Sequence, residues 1–399
     1  MAATTGYQAG FETTQTQISY GIESAWGTLP ATTFQAVRYM SESLAGSKQR
    51  DRPSEVPLVA EMIAAVTTKV QAGGGVKFAL SYGTFDDWLS GALNNDWQAN
   101  QQIAGVAADI TITNGTSVLS STTSNKFQNI AIGQFIRTLG FANAGNNNIW
   151  RVSAKASNQS ITLQGVGTAA IVTETPTGTN AQVRASTITN ASLFKSFYIQ
   201  QKFASNAWLR YPGSFCTGVT LSGGVAQFLQ GEFSFLSQVE NTASADASTG
   251  GILAAPTGKV HDPVGGFSGM WMDGAALGAT LDSFTIQTQT KNAQLEFGMG
   301  SSSAAGVVMG LLEVSGSFKV YFKDFSLYNR FANETASVPA IITRDAAGAA
   351  YVISLPNANI MNPQIEVGGP GTPVMATFQI EGNPQTAGGS IIIGRLDPT

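Results

Sequence analysis

Hydrophobic and polar positions alternate with a period of two along much of the chain, the spacing of strands that show one face to a core and the other to water. Val76, Phe78, Leu80 and Tyr82 are interleaved with Lys77, Ala79 and Ser81. Phe197, Ile199 and Phe203 are interleaved with Tyr198, Gln200 and Lys202. Phe284 and Ile286 stand against Ser283, Thr285, Gln287 and Gln289, and Phe318, Val320 and Phe322 against Lys319, Tyr321 and Lys323. Ala376, Phe378 and Ile380 stand against Thr377, Gln379 and Glu381. Glycine-rich breaks at Gly73-Gly74-Gly75, Gly223-Gly224, Gly265-Gly266 and Gly368-Gly369-Pro370-Gly371 read as turns between such runs. The pattern predicts an all-β dominated fold whose sheets have two unlike faces.

Two stretches depart from it. Thr84 to Asn94 reads as a helix, with Thr84 as N-cap, Asp86 and Asp87 in the first turn, and Phe85, Trp88, Leu89 and Ala92 as the buried stripe. Phe325 to Ala332 is a weaker helix candidate. A shift of 240 positions superposes Phe78 on Phe318, Leu80 on Val320, Tyr82 on Phe322, Phe85 on Phe325 and Trp88 on Tyr328. Each copy is a strand followed closely by an aromatic-bearing helix or turn, which suggests two similar halves.

Between the halves lies a segment of different texture. Short strands are expected at Asp109 to Thr113, Phe135 to Leu139, Trp150 to Ala154 and Ser160 to Gln164, with a polar turn at Asn143 to Asn148. Its flanks are rich in Gln and Asn on one side and carry Pro176-Thr177-Gly178-Thr179-Asn180 on the other. The domain reading is therefore a host domain over 1–100, an inserted small β-domain over 101–182, and the host again over 183–399. Ser41 to Pro57 reads as a long irregular loop holding Lys48, Arg50, Asp51, Arg52 and Glu55. Loops of that length in compact domains are usually functional or disordered.

Composition narrows the chemistry. Only 12% of the 399 residues are charged, about half the usual share, and the net charge is −4. The acidic balance argues against a nucleic-acid-binding domain. One Cys and one His exclude an internal disulfide framework and a His-built metal cage within one chain. The N-terminus lacks the basic and apolar regions of a secretory signal, and the stretch from Phe297 to Leu312 is too short and glycine-broken for a membrane span.

Candidate sites read as structural. His261-Asp262 precedes Pro263 in what reads as a polar loop, and Asp86-Asp87 suits a helix dipole better than a pair of catalytic acids. Gly165 to Ala170 fits G-x-G-x-x-A, but Ile171, Val172 and Thr173 read as strand where a nucleotide site needs a helix. Cys216 reads as a small buried thiol, and Met270-Trp271-Met272 as packing. No nucleophile elbow or phosphate loop occurs. The expectation is a structural protein, with no enzyme activity, cofactor or metal.

Several segments, taken in order, resemble the major tail tube proteins of long, non-contractile-tailed bacteriophages. They are Tyr20 to Thr28, Arg38 to Leu44, Ser47 to Arg52, Val76 to Tyr82 leading to Phe85 to Leu89, and Gly140 to Asn148. Phe215 to Leu221, Gly231 to Phe235, Gly316 to Phe322 and Tyr351 to Pro356 complete the series. The resemblance implies a β-sandwich or barrel with a flanking α-helix, six subunits to a ring, and rings stacked into a tube assembled in the host cytoplasm. It implies a tape measure protein inside, tail terminator and distal tail proteins at the ends, no membrane anchor, and passage of double-stranded DNA without specific binding. On this reading Lys48, Arg50, Asp51, Arg52 and Glu55 set contacts between rings or subunits, and Thr285, Gln287 and Gln289 face the lumen. The inserted domain decorates the exterior. A tube from a contractile tail or secretion machine is a near variant. The alternative is a β-rich virion surface or host-recognition protein, using Phe135, Phe141 and Trp150 of the insert to bind glycans or cells.

Overall fold

The computed structural model describes residues 9–56, 58–98, 101–165, 170–177, 181–385 and 389–398. Among these residues a 14-stranded sheet and a 12-stranded sheet account for nearly all regular structure, with a separate two-stranded hairpin and two short α-helices. The fold is all-β dominated, as the period-two pattern predicts.

The two halves have the same architecture. In the first, an outer layer runs Phe34–Val37, Gln17–Ile22, Ser196–Ala204 and the start of Ala207–Gly224, every pair antiparallel. Its inner layer runs Ala45–Asp51, Val66–Ala79, Gln227–Ser237 and the end of Ala207–Gly224, again antiparallel. In the second half the outer layer runs Ala275–Ala276, Phe267–Met272, Pro339–Arg344 and Ala350–Ser354. The inner layer runs Leu281–Lys291, Leu311–Tyr321, Met375–Gly382 and Ala358–Glu366. Helix α1 (Asp86–Ala92) follows the second inner strand of the first half, and α2 (Ser326–Ala332) follows the second inner strand of the other. The 240-residue shift thus holds for both helices end to end, with Phe85 and Phe325 as their N-caps.

The alternation is physically real. Phe284, Ile286, Phe318, Val320, Phe378 and Ile380 are buried in one core, together with Val76, Phe78, Phe233 and the α1 stripe Phe85, Trp88, Leu89 and Ala92. Burying each such side chain contributes about 1.5–3 kcal/mol. Trp88 meets Phe233 and Phe235 edge-on at 5.4 and 5.0 Å. Ser196–Ala204 departs from the simple pattern: Tyr198 and Gln200 are buried as well as Phe197 and Ile199. Tyr198 packs with Phe34 and Ala247 on the second face, and Gln200 bonds Ser19 and Asp246 there.

Three local expectations are corrected. Gly73-Gly74-Gly75 is no turn but lies inside Val66–Ala79, paired with Leu236, Phe235 and Ser234. The strand passes so close to Ser43 that a Cβ on Gly74 would lie 2.2 Å from its carbonyl oxygen, and φ there is +148°. Glycine is what such an approach requires. Thr84 does not cap α1; its hydroxyl pairs with Ser81 at 2.7 Å, and the first turn relies on Asp86 and Asp87. The third is the Ser41 to Pro57 loop, which is mostly strand: Ser41–Glu42 and Ala45–Asp51 pair with Val66–Ala79. Pro57 lies outside the described residues. Ala45–Asp51 is exposed on both faces, so it carries no period-two signal.

The insert strands form where expected, at Ile110–Thr113, Phe135–Leu139, Ile149–Ser157 and Ser160–Gly165, joined by Gln101–Ala104 and Val118–Ser121. Asn143 caps a 3-10 turn over Ala144–Asn146 by accepting from the Gly145 N–H. Ile110, Leu119, Ile136, Trp150, Ile161 and Val183 form a core of their own. The far side of the same strands, Phe135 and Ile149, packs on Ala340, Ile342 and Val352 of the second half.

Candidate functional site

The broadest feature with functional potential is the outward face of the inner layer. The eight inner strands form one continuous sheet, because Ala207–Gly224 of the first half pairs with Leu281–Lys291 of the second, from Gly218 opposite Gln289 to Gly224 opposite Ser283. Registers carry one row of residues straight across it: Lys77, Glu232, Thr220, Gln287, Ser315, Glu381 and Asn359. Every member is polar, since neighbours along each strand point to the core. Gln287 and Thr285 are half-buried on this face and Gln289 is exposed, so the structure brings the three sequence-chosen residues together on one surface.

Three lysines on this face are each matched by a carboxylate. Lys77 faces Glu232 at 4.0 Å, Lys319 faces Glu366 at 3.1 Å, and Lys291 pairs with Glu313. Exposed pairs of this kind add about 0–1 kcal/mol to stability. Each of these lysines is already engaged by a carboxylate, which weakens its attraction for a phosphate.

The second feature is an exposed arm made by Ala45–Asp51 and the start of Val66–Ala79. Lys48, Arg50 and Asp51 lie on its first strand, and Arg52 and Glu55 on the loop that follows. The charged groups serve the arm itself. The Arg50 and Arg52 guanidinium groups donate to the carbonyls of Ala65 and Ile63 at 2.8 and 2.6 Å, and the Thr68 hydroxyl donates to Asp51 at 2.8 Å. Sequence reasoning missed the apolar tip beside them: Val56, Leu58 and Met62 are each more than four-fifths exposed. The signal was there, in apolar residues clustered without periodicity, a pattern that buries nothing within one chain. In the second half the same place between inner strands holds the hairpin Gln294–Phe297 and Ala304–Val308, with Met299 fully exposed at its tip. The two arms touch where the Lys69 ammonium sits 5.0 Å above the Phe297 ring.

The remaining candidates are structural. His261 is fully buried rather than in an exposed loop, because its backbone bridges Leu80 and Leu229 between the layers. Its Nδ1 meets the Thr343 hydroxyl at 2.9 Å, and burial pushes the imidazole down to about 4. Asp262 turns away and accepts the N–H groups of Val264 and Gly265. Asp86 accepts the Tyr351 hydroxyl at 2.5 Å and pairs with Arg395, while Asp87 accepts from Tyr20 at 2.8 Å. Burial pushes the Cys216 thiol up to about 12, so it is inert. Met270 and Met272 are core. Gly165 ends a strand, Val166 to Ala169 and Gly178 to Asn180 lie outside the described residues, and Ile171 to Thr173 form no strand; only Glu174 bridges to Ile112. Phe135, Phe141 and Trp150 are buried, so none offers a ring to a glycan. No group of His, Cys, Asp and Glu among the described residues could hold a metal ion, and no described helix is long and apolar enough to cross a membrane.

A search of curated proteins returned no match. A family model described as phage tail tube protein matches residues 13–382, a span that takes in both halves, the insert and both arms. With a match over nearly its whole length, on a chain built of paired two-faced sheets, the protein belongs to the phage tail tube protein family.

Proposed function

We infer that the chain, as a member of this family, has a structural role in the virion tail as a self-assembling component of the tube. We propose that it forms rings of sixfold character that stack head to tail into a hollow conduit, through which double-stranded DNA passes into the host. The observation that carries this reading is the polar row that crosses seven of the eight inner strands, whose opposite face is committed to the core. A face of paired lysines and uncharged Ser, Thr and Gln suits a wet lumen that must not hold its cargo. Thr285, Gln287 and Gln289 line that lumen.

The arms join one ring to the next. Lys48, Arg50, Asp51, Arg52 and Glu55 keep the arm ordered and its rim charged, while Val56, Leu58 and Met62 supply the apolar area that a neighbour covers. The inserted domain, 101–182, sits on the exterior. A tape measure protein occupies the lumen before DNA, and terminator and distal tail proteins cap the ends, as the resemblance implies; assembly takes place in the host cytoplasm.

Electron microscopy of the purified chain tests this directly. Hollow tubes with a regular axial repeat are expected. Dispersed single chains at every concentration and ionic strength tried would overturn the reading.

A further inference from the structure

A chain that holds two copies of one architecture also shows how one copy sits beside the next. Within the chain, the last inner strand of the first half, Ala207–Gly224, pairs antiparallel with the first inner strand of the second half, Leu281–Lys291. The corresponding outermost strands of the whole chain are Ala358–Glu366 and Ala45–Asp51. Among the described residues each has one sheet neighbour, apart from a single bridge from Ala358 to Ser337. The chain therefore ends on one side with the edge that its own junction uses on the left, and on the other with the edge that it uses on the right.

We propose that Ala358–Glu366 of one chain pairs with Ala45–Asp51 of the next, repeating the internal junction, so that a ring of six tube units is closed by three chains. This deepens the tube reading above and rests on it. The repeating unit of the ring is half a chain.

The helices support the same geometry. Helix α1 packs on Ala207–Gly224 and α2 packs on Ala358–Glu366, so both rest on the last inner strand of their half. The second half closes over the start of α1, where Tyr351 and Arg395 reach Asp86. Among the described residues, no counterpart of Tyr351 or Arg395 reaches the start of α2. There Phe325 is 58% exposed and lies in a run of ring contacts at 5.3 to 6.0 Å with the half-buried Phe322, Tyr328 and Phe331. An aromatic run beside an unpaired sheet edge is a liability for a monomer and an interface for an assembly. A second copy placed as the second half is placed covers both at once. The two edges are different surfaces, so the contact is head-to-tail and closes only as a ring. Six chains would put twelve units round one lumen, twice what a six-unit ring holds.

One asymmetry makes the count visible. After α1 the chain enters the insert, whereas α2 runs on to Pro339–Arg344 within seven residues. Each chain thus carries one insert for two tube units, and a ring should show six similar body lobes but three insert lobes.

The test uses the full chain in assembled tubes. Mass per ring by scanning transmission microscopy should be three times 41.6 kDa, about 125 kDa, with three insert lobes per ring in image reconstructions. A double variant with Gln49→Cys and Gln364→Cys, treated with a flexible bismaleimide, should give a covalent ladder that stops at three chains; Cys216 is buried and stays silent. Rings of six chains, or tubes in which these edges never cross-link, overturn the inference while leaving the tube reading intact. Failure to form tubes at all overturns both. Should the double variant not assemble, the ring mass of the unaltered chain decides.

Discussion

His261, the single histidine, is held neutral between the two layers by burial, with its ordinary value of 6.5 brought down to about 4. The sign of the consequence is fixed. Between about pH 6.5 and 4 the unfolded chain takes up a proton that the folded chain refuses, so stability falls as pH falls through that window, by at most roughly 3 kcal/mol. Thermal melts of the unaltered chain and of His261→Gln, each taken from pH 7.5 to 4.5, should diverge, with the variant losing less. Parallel curves would show that His261 does not govern this range. Gly74 shows the opposite kind of residue, chosen for what it lacks. It is legible in sequence only as part of a glycine run, and the run has the same composition whether it makes a turn or lets a strand cross Ser43. Contact with a residue 31 positions away decided which.

At the scale of elements, the strands with one buried face were the readable ones, since burial writes itself into the sequence as alternation. The arm was not readable as strand, because Ala45–Asp51 is exposed on both sides and held by backbone pairing to Val66–Ala79 alone. Its charged residues drew notice; its apolar tip did not. Substituting Leu58→Asp and Met62→Asp together should leave the melting temperature within about 1 °C, because neither side chain touches the core and exposed substitutions usually cost under 0.5 kcal/mol. Tube assembly, followed by light scattering, should fall at least tenfold. Reversing Arg50 or Asp51 singly should weaken assembly less and loosen the arm more, since their partners are Ala65 and Thr68 of the same hairpin. Full assembly by the Leu58/Met62 variant would remove the arm tip from the contact between rings.

At the scale of the whole molecule, the insert is the part whose boundary matters most. It has its own core, yet Phe135 and Ile149 also cover Ala340, Ile342 and Val352, and Arg137 donates to the carbonyl of Gly348 at 2.6 Å. Replacing residues 101–182 by a short linker should therefore give a folded body that still forms rings. It should be less stable by several kcal/mol, as the covered apolar face opens to water at about 25 cal/mol per Å². Circular dichroism and electron microscopy read the two outcomes separately. A chain that cannot fold without the insert would make it part of the body rather than a decoration. The scarcity of charge also belongs to this scale. With 12% charged residues, the chain keeps its lysines on one face largely paired and leaves apolar groups at the arm tips and along α2, the composition of a surface that other copies cover.

Alternation, helix position and the 240-residue repeat were determined by the sequence itself, because each is a local pattern with a local cause: a side chain faces the core or it does not, and the chain period records which. The absence of catalytic signatures was equally local, being a matter of which residue types are present. Which strands neighbour one another was decided only in three dimensions. The joining of the two halves into one sheet depends on Gly218 to Gly224 meeting Ser283 to Gln289, whose paired residues lie 59 to 71 positions apart in the chain and whose backbone hydrogen bonds leave no mark on side-chain identity. The open edges at Ala45–Asp51 and Ala358–Glu366 follow from that same arrangement, since an edge is defined by the strand that is not beside it.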